Sequence, residues 1–222
     1  MVTNPFKSVE REHELVLSGE YAVARLDMEN GRHVCKLHVQ PYDPVFLDSV
    51  IDTFKALVHF LPDVVGGYVN SDEISLIWPT ATRWQKNRIL KVCSILASYA
   101  GKELNNAYRS RIRPDSVYET TMNHLYFDCR AFSLGEPDLV PYLQSRQNLI
   151  VYGNLHWKAK QFTRDSIVQR HRSESAKRAL LEHLGQSFEN DPSRFSYGVL
   201  YTRRAGFNEA VGDFRRCSVN LF

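Results

Sequence analysis

The run EYAVARLD (20–27) favours β-structure, ends on an acid, and predicts a first strand. DPVFLDSVIDTFKALVHFLP (43–62) changes period. Its apolar residues at 46, 47, 50, 51, 54, 57 and 58 repeat at helical spacing, with Asp43 placed as cap and Pro44 at the first helical position. DVVGGYV and EISLIWP then read as two short strands joined near Asn70-Ser71 as a hairpin. RWQKNRILKVCSILASYAGKEL (83–104) predicts a second helix, with Ile89, Val92, Ile95, Leu96 and Tyr99 as its buried stripe. HLYFDCRAFSL (124–134) predicts another strand, alternating around Asp128 and Arg130. The order β-α-β-β-α-β is the split βαβ arrangement of ferredoxin-like sheets, so the expected fold class is α+β.

Beyond this point the pattern changes. DLVPYLQSRQNLIVYGNLHWKAKQF (138–162) is mostly helical with an interruption expected around Gly153, and SESAKRALLEHLG (173–185) is a short helix stopped by its glycine. FSYGVLYTRR (195–204) reads as a late strand. The expected organisation is a sheet region over 1–135 and an appended C-terminal helical annex with a late strand over 136–222, forming one compact unit without a flexible linker.

Composition narrows the class. With 222 residues, 43% hydrophobic and 12% aromatic, the chain can bury a sizeable core. No run approaches the ~18 apolar residues of a membrane span, and MVTNPFKSVEREHELVL lacks the charged-then-apolar pattern of a secretory signal. A cytoplasmic protein with no membrane partner is the expectation. Cys35, Cys93, Cys129 and Cys217 form no C-x-x-C pair and the eight histidines form no ligand pair, so zinc is not expected. Cys93 and Cys129 lie in apolar segments and read as reduced, buried thiols. The net charge of +3 is mild, but RSRIR (109–113), RDSIVQRHRSESAKR (164–178) and the Arg pairs at 203–204 and 215–216 concentrate it. Such clusters suit a phosphate backbone, and equally a solvated helix face.

In a split βαβ sheet the first strand and the central hairpin are neighbours. Asp27 should therefore lie close to Asp72 and Glu73. Converging carboxylates at a sheet edge suit Mg²⁺, which prefers oxygen ligands and keeps part of its shell for water and phosphates. Two such ions can stabilise an in-line phosphoryl displacement, as in polymerase palms. The spacing by itself also describes strand-end acids that merely meet solvent.

The letters add to this. RLD, PYD before a helix, VVGGYVNSDEISLIW, KVCSILAS, YFDCRAF and YLQSRQ occur in one order. Together, over roughly residues 20 to 204, they resemble the tRNA(His) guanylyltransferase family and its bacterial, archaeal and phage-type relatives, the 3′–5′ polymerases. The resemblance implies a polymerase-palm sheet and a nucleotidyltransferase that adds nucleotides to the 5′ end of tRNA. It assigns Asp27 and Asp72 as ligands of two Mg²⁺ ions, with the Met28 backbone carbonyl as a further ligand. Glu73 is grouped with the catalytic acids as their support. Arg25 and Ser71 match positions close to the nucleotide, and Gly31, Arg32 and His33 belong to the loop that cradles its triphosphate. Lys91 and Arg130 match phosphate-binding cations, although a structural Asp128–Arg130 pair competes with that role for Arg130. Arg146, Gln147 and Asn154 fall where the family meets the 5′ end of the RNA. Arg170 and Arg172 belong to the basic annex that would seat the tRNA. GTP, ATP or other NTPs are the implied substrates, and a homo-oligomeric dimer of dimers the implied assembly.

Two blocks depart from the family. Where the family reads D-G-R-x-F, this chain reads Asp27-Met28-Glu29-Asn30-Gly31-Arg32-His33-Val34, displacing the glycine and arginine by three residues and adding Glu29 as a candidate ligand. Where eukaryotic members carry H-I-N-N, the chain has Val151-Tyr152-Gly153-Asn154, which favours tRNA repair over strict tRNA(His) guanylylation. Two other readings stay open: a nucleotide- or RNA-binding relative that has lost polymerisation, and another palm chemistry such as nucleotide cyclisation. Trp78 and Trp84, on either side of the loop after the hairpin, are expected to pack in the core rather than stack on bases.

Overall fold

The computed structural model describes residues 15–29, 31, 43–112 and 125–209. Strand β1 (Tyr21–Met28) leads to helix α1 (Pro44–Phe60). The Asp43 carboxylate caps α1 by accepting from the backbone N–H groups of Val45 (2.8 Å) and Phe46 (3.2 Å), two donors the helix itself leaves unpaired. The hairpin of β2 (Gly66–Asn70) and β3 (Glu73–Pro79) follows. Helix α2 (Ile89–Arg109) begins later than the apolar pattern predicts. Arg83, Gln85, Lys86 and Asn87 all have φ between 51° and 58°, so the chain makes two short 3₁₀ turns before the helix can start.

Strand β4 (Phe127–Leu134) precedes α3 (Glu136–Lys160), which runs unbroken through Gly153. A helical glycine costs only about 1 kcal/mol. Here Gln147, Val151, Asn154 and Leu155 are buried on either side of it, and their packing outweighs that cost. Helices α4 (Asp165–Arg170), α5 (Glu174–His183) and α6 (Ser193–Ser196) complete the annex before β5 (Val199–Thr202) and β6 (Gly206–Glu209).

All strand pairings are antiparallel, in the order β4-β1-β3-β2-β5-β6. The first four positions are the ferredoxin-like order. The late strand does not stand apart: β5 pairs with β2, Tyr68 opposite Leu200, and extends the same sheet. Alternation divides the strand residues between two layers. Ala22, Ala24, Leu26, Met28, Ile74, Leu76 and Trp78 pack on α1 and α2, while Val23, Tyr68 and Ile77 pack with Leu139 and Leu143 of α3. Trp78 is fully buried and meets Trp84 edge-on at 6.2 Å, so both rings pack in the core. Among the described residues, no helix is long and apolar enough to cross a membrane.

The fold joins two cysteines that sequence separation kept apart. The Cys129 thiol on β4 donates to Cys93 on α2, which also accepts from the Ala131 backbone N–H. These donors lower the Cys93 thiol below its ordinary range, while the shared proton and burial push Cys129 up. Under native conditions iodoacetamide should therefore modify Cys93 well before Cys129. Peptide mass analysis over a labelling time course reads this order.

Candidate active site

Asp27 lies near the C-terminal end of β1, directly opposite Glu73 on β3 and Asp128 on β4. The hairpin closes through a two-residue turn, Ser71-Asp72, with Ser71 in the left-handed region (φ 56°). The Met28 N–H donates to the Asp72 carbonyl at 3.1 Å, tying the end of β1 to that turn. The Ser71 hydroxyl bonds the Asp72 carboxylate. Burial pushes the Asp72 carboxyl above its usual range, and the charges of Asp27 and Glu73 push the same way, against the Ser71 hydroxyl and the residue's own N–H. Sheet register thus brings Asp27 and Asp72 together.

Gly31 completes this corner. A Cβ on it would fall inside the Asp72 carboxylate, so the backbone of the loop packs directly against the end of that side chain. The glycine displaced by three residues in the sequence therefore still arrives at the hairpin acid. Arg32 and His33, the other loop residues singled out, and Asn30 lie outside the described residues. Gly31→Ala would be accommodated by swinging the rotatable Asp72 side chain away. The expected result is at least a tenfold loss of catalytic rate (about 1.4 kcal/mol) with a melting temperature close to wild type. Parallel kinetics and thermal melts check it.

Glu73 has a different surrounding from the one its grouping with the catalytic acids implies. It is buried, and Arg146 of α3 grips both its oxygens, Nε to Oε1 at 2.7 Å and a second guanidinium N–H to Oε2. Arg25 adds a longer contact at 3.9 Å. With both oxygens engaged, Glu73 is placed as a support beside Asp72 rather than as a free ligand. Next to it, the Ser75 and Tyr142 hydroxyls pair at 2.9 Å.

Gln147 and Asn154, expected to meet RNA, are likewise buried. Asn154 donates to the Phe195 carbonyl (2.8 Å) and, at 3.5 Å, to the Asn70 side chain just before the turn. Gln147 donates to the Tyr197 carbonyl at 3.3 Å, which also accepts from the Tyr68 hydroxyl at 2.8 Å. As placed, these side chains face the sheet rather than solvent. Arg130 is exposed and paired with Asp128 at 3.3 Å, the local pairing that competed with its phosphate role. Lys91 is exposed in the first turn of α2.

The basic annex divides into two kinds of cation. Lys177, which the sequence groups with the surface charges, is fully buried. It donates to the carbonyls of Val168 (3.1 Å) and His171 (2.8 Å), pinning the chain between Arg170 and Arg172. Arg178 pairs with Glu174 and Glu189, Arg111 with Asp52, and Arg203 with Asp63. Arg164, Arg170 and Arg172 are exposed and, among the described residues, form no ion pair. Register against β1 also puts Asp128 of YFDCR opposite Asp27, with its carboxylate paired to Arg130.

Among the described residues no group of three or more His, Cys, Asp or Glu side chains converges as a metal cage. Mg²⁺ does not need one, since it is bound through one or two carboxylates plus substrate phosphates. Asp27 and Asp72 fit that requirement: two oxygen donors share one corner, one of them raised by burial and like charge, and no described Lys or Arg pairs with either.

The strand order, with its paired acids at the end of β1 and in the β2–β3 turn, defines a ferredoxin-like, polymerase-palm type of protein. The family model described as tRNAHis guanylyltransferase (Thg1) matches residues 3–135, and the chain belongs to that family, a family of nucleotidyltransferases. Among solved structures, a bacterial tRNA(His) guanylyltransferase (Thg1)-like protein in complex with ATP superposes with a TM-score of 0.83 at 18% identity, over 95% of this chain and 92% of that one. The bacterial Thg1-like protein in complex with GTP gives 0.67 at 18% identity over the same shares. The tRNA(His) guanylyltransferase of Saccharomyces cerevisiae gives 0.76 at 19% identity, over 95% and 96% of the two chains. No curated protein matches the chain by sequence.

Proposed function

We propose that this chain adds nucleotides to the 5′ end of tRNA in the 3′–5′ direction, as a repair-type member of its family. The observation that carries the reading is the convergence of Asp27, Asp72 and Gly31 at one corner of a palm sheet. The similar bacterial proteins are described in complex with ATP and with GTP, which supports nucleoside triphosphates as substrates. Asp27 and Asp72, with the Met28 carbonyl, would hold two Mg²⁺ ions, which when bound stabilise charge on the attacking and leaving oxygens.

The remaining work falls to the chain itself. The loop backbone at Gly31 lies against the Asp72 carboxylate, at the edge of the space where a triphosphate would meet the acids. Arg25, 3.9 Å from Glu73, and Arg130, opposite it on β4, would supply positive charge around that space, with Lys91 assigned to the triphosphate by the family resemblance alone. Arg164, Arg170 and Arg172 present a solvated basic surface for the phosphate backbone of the acceptor stem. In the reaction, the 3′-hydroxyl of an incoming nucleotide attacks the 5′-terminal phosphate and forms one phosphodiester bond; a 5′-triphosphate end loses pyrophosphate in that step, whereas a 5′-monophosphate end is first adenylylated by ATP with release of pyrophosphate and then loses AMP.

Pyrophosphate release provides the test. Wild-type protein with Mg²⁺ and NTP should release it only when 5′-truncated tRNA is added, and Asp27→Asn should release none. Release that does not depend on RNA, or an Asp27→Asn variant as active as wild type, would sink the proposal.

A further inference from the structure

Both flanks of the Ser71-Asp72 turn are held by one helix. On the entering side Asn70 bonds Asn154, and on the leaving side Glu73 is gripped by Arg146, both from α3. The turn needs such support. Ser71 is a non-glycine residue at φ 56°, a conformation that persists only when surrounding contacts impose it. Within the turn, among the described residues, the Met28 N–H to Asp72 carbonyl bond ties it to β1. Resting on the proposed nucleotidyl-transfer reading of the site, we infer that Arg146 is a positioning residue: through Glu73 it fixes the turn so that Asp72 faces Asp27.

Arginine suits this task for a physical reason. Its planar fork meets a carboxylate through two parallel bonds and so fixes orientation as well as distance, which a lysine ammonium cannot do. The contact is nearly dry, with the Glu73 side chain 8% exposed and that of Arg146 18%. An RNA phosphate would have to compete with a buried carboxylate already in place. The neighbouring Gln147 and Asn154, which continue the same polar face of α3, are buried against Tyr197 and Phe195. The face that the sequence assigns to the RNA end is therefore a brace for the hairpin, and the annex carrying it is mechanically joined to the acids.

The experiment compares wild type with Arg146→Lys and with the double variant Glu73→Gln/Arg146→Met, which removes both charges of the pair and leaves Arg25 beside a neutral amide. The first readout is hydrogen exchange at the amides of residues 70–73, measured without metal, nucleotide or RNA. Both variants should exchange there about tenfold faster or more, while the α1–α2 side of the sheet is unchanged. The second is kinetic. kcat should fall and the Mg²⁺ concentration for half-maximal rate should rise, each by about tenfold or more as for other outer-shell partners of metal ligands. The third is binding of 5′-truncated tRNA against salt, which should match wild type.

Unchanged exchange at the turn in both variants would overturn the inference. So would a raised KM for RNA with a salt slope shallower by about one and a normal Mg²⁺ response, the pattern of a lost phosphate contact. Were wild type inactive, the function reading would fall alone, because exchange at the turn still decides whether Arg146 holds it.

Discussion

Replacing Asp72 by Asn should abolish 5′-end extension and at the same time raise the melting temperature of the metal-free protein. The two effects share one cause. Asp72 is pressed into the protein beside Asp27, and burial and like charge raise its carboxyl above the ordinary value of 3.8. The native state therefore binds the proton more tightly than the unfolded chain does. The sign follows: stability from this group is fully present below pH 3.8 and is lost as pH rises through the elevated native value. At neutral pH the carboxylate destabilises the metal-free fold, and the uncharged amide relieves it. Each kcal/mol relieved raises the melting temperature by about 2–4 °C at this chain length. The gain should shrink as pH falls toward the ordinary carboxyl value, and Mg²⁺ with nucleotide should raise the wild-type melting temperature more than that of the variant. Catalysis moves the other way. On the proposed two-metal reading, loss of one of the Asp72 oxygens should remove several kcal/mol of transition-state stabilisation, about a thousandfold or more in rate. Thermal melts across pH, paired with extension assays, separate the two effects. A variant that is both active and no more stable would contradict the site as drawn.

The largest purely structural effect is expected at Gly198. This residue has φ 85° and immediately precedes β5. A Cβ there would collide with the Val69 carbonyl oxygen, a backbone atom that cannot rotate away, and would stand 2.8 Å from Asn70 Cβ and 2.9 Å from the Tyr68 ring. Gly198→Ala combines a left-handed conformation, costing about 1–2 kcal/mol, with overpacking that adds about 1–3 kcal/mol. A loss of about 2–5 kcal/mol should lower the melting temperature by about 5–15 °C. The damage would not stay local. Val199 pairs with Val69, and the neighbouring Tyr197 carbonyl receives both the Tyr68 hydroxyl and Gln147. Splaying β5 from β2 loosens the strand that leads into the Asp72 turn, so activity should fall with stability. Chemical denaturation measures the first effect, and a variant as stable as wild type would show that the β5 junction is not tightly packed.

The parts of this arrangement legible in the sequence are those written in periodicity and order. The helical stripe after Asp43, the hairpin around Asn70-Ser71 and the split βαβ order together bring Asp27 toward Asp72. What escaped depended on contacts between distant residues. Helical spacing marks α3 as a helix but does not say that its polar residues Arg146, Gln147 and Asn154 face inward, because the end of the sheet they cover is itself polar. Lys177 reads as one more surface cation, and only the fold supplies the carbonyls of Val168 and His171 that let it be buried. Cross-strand register, invisible to a single strand's pattern, placed Asp128 beside Asp27. The late start of α2 reflects four left-handed residues without a glycine among them, which no propensity favours. The loop after Asp27 departs from the family in length, yet its Gly31 reaches Asp72.

The most direct measurement is to incubate the protein with 5′-truncated tRNA, Mg²⁺ and labelled NTPs, then map the labelled residue by end-specific digestion. Wild type should carry label joined at the 5′ end by a 3′–5′ phosphodiester, and Asp72→Asn should carry none. Label found only at the 3′ end, or extension by Asp72→Asn equal to wild type, would contradict it.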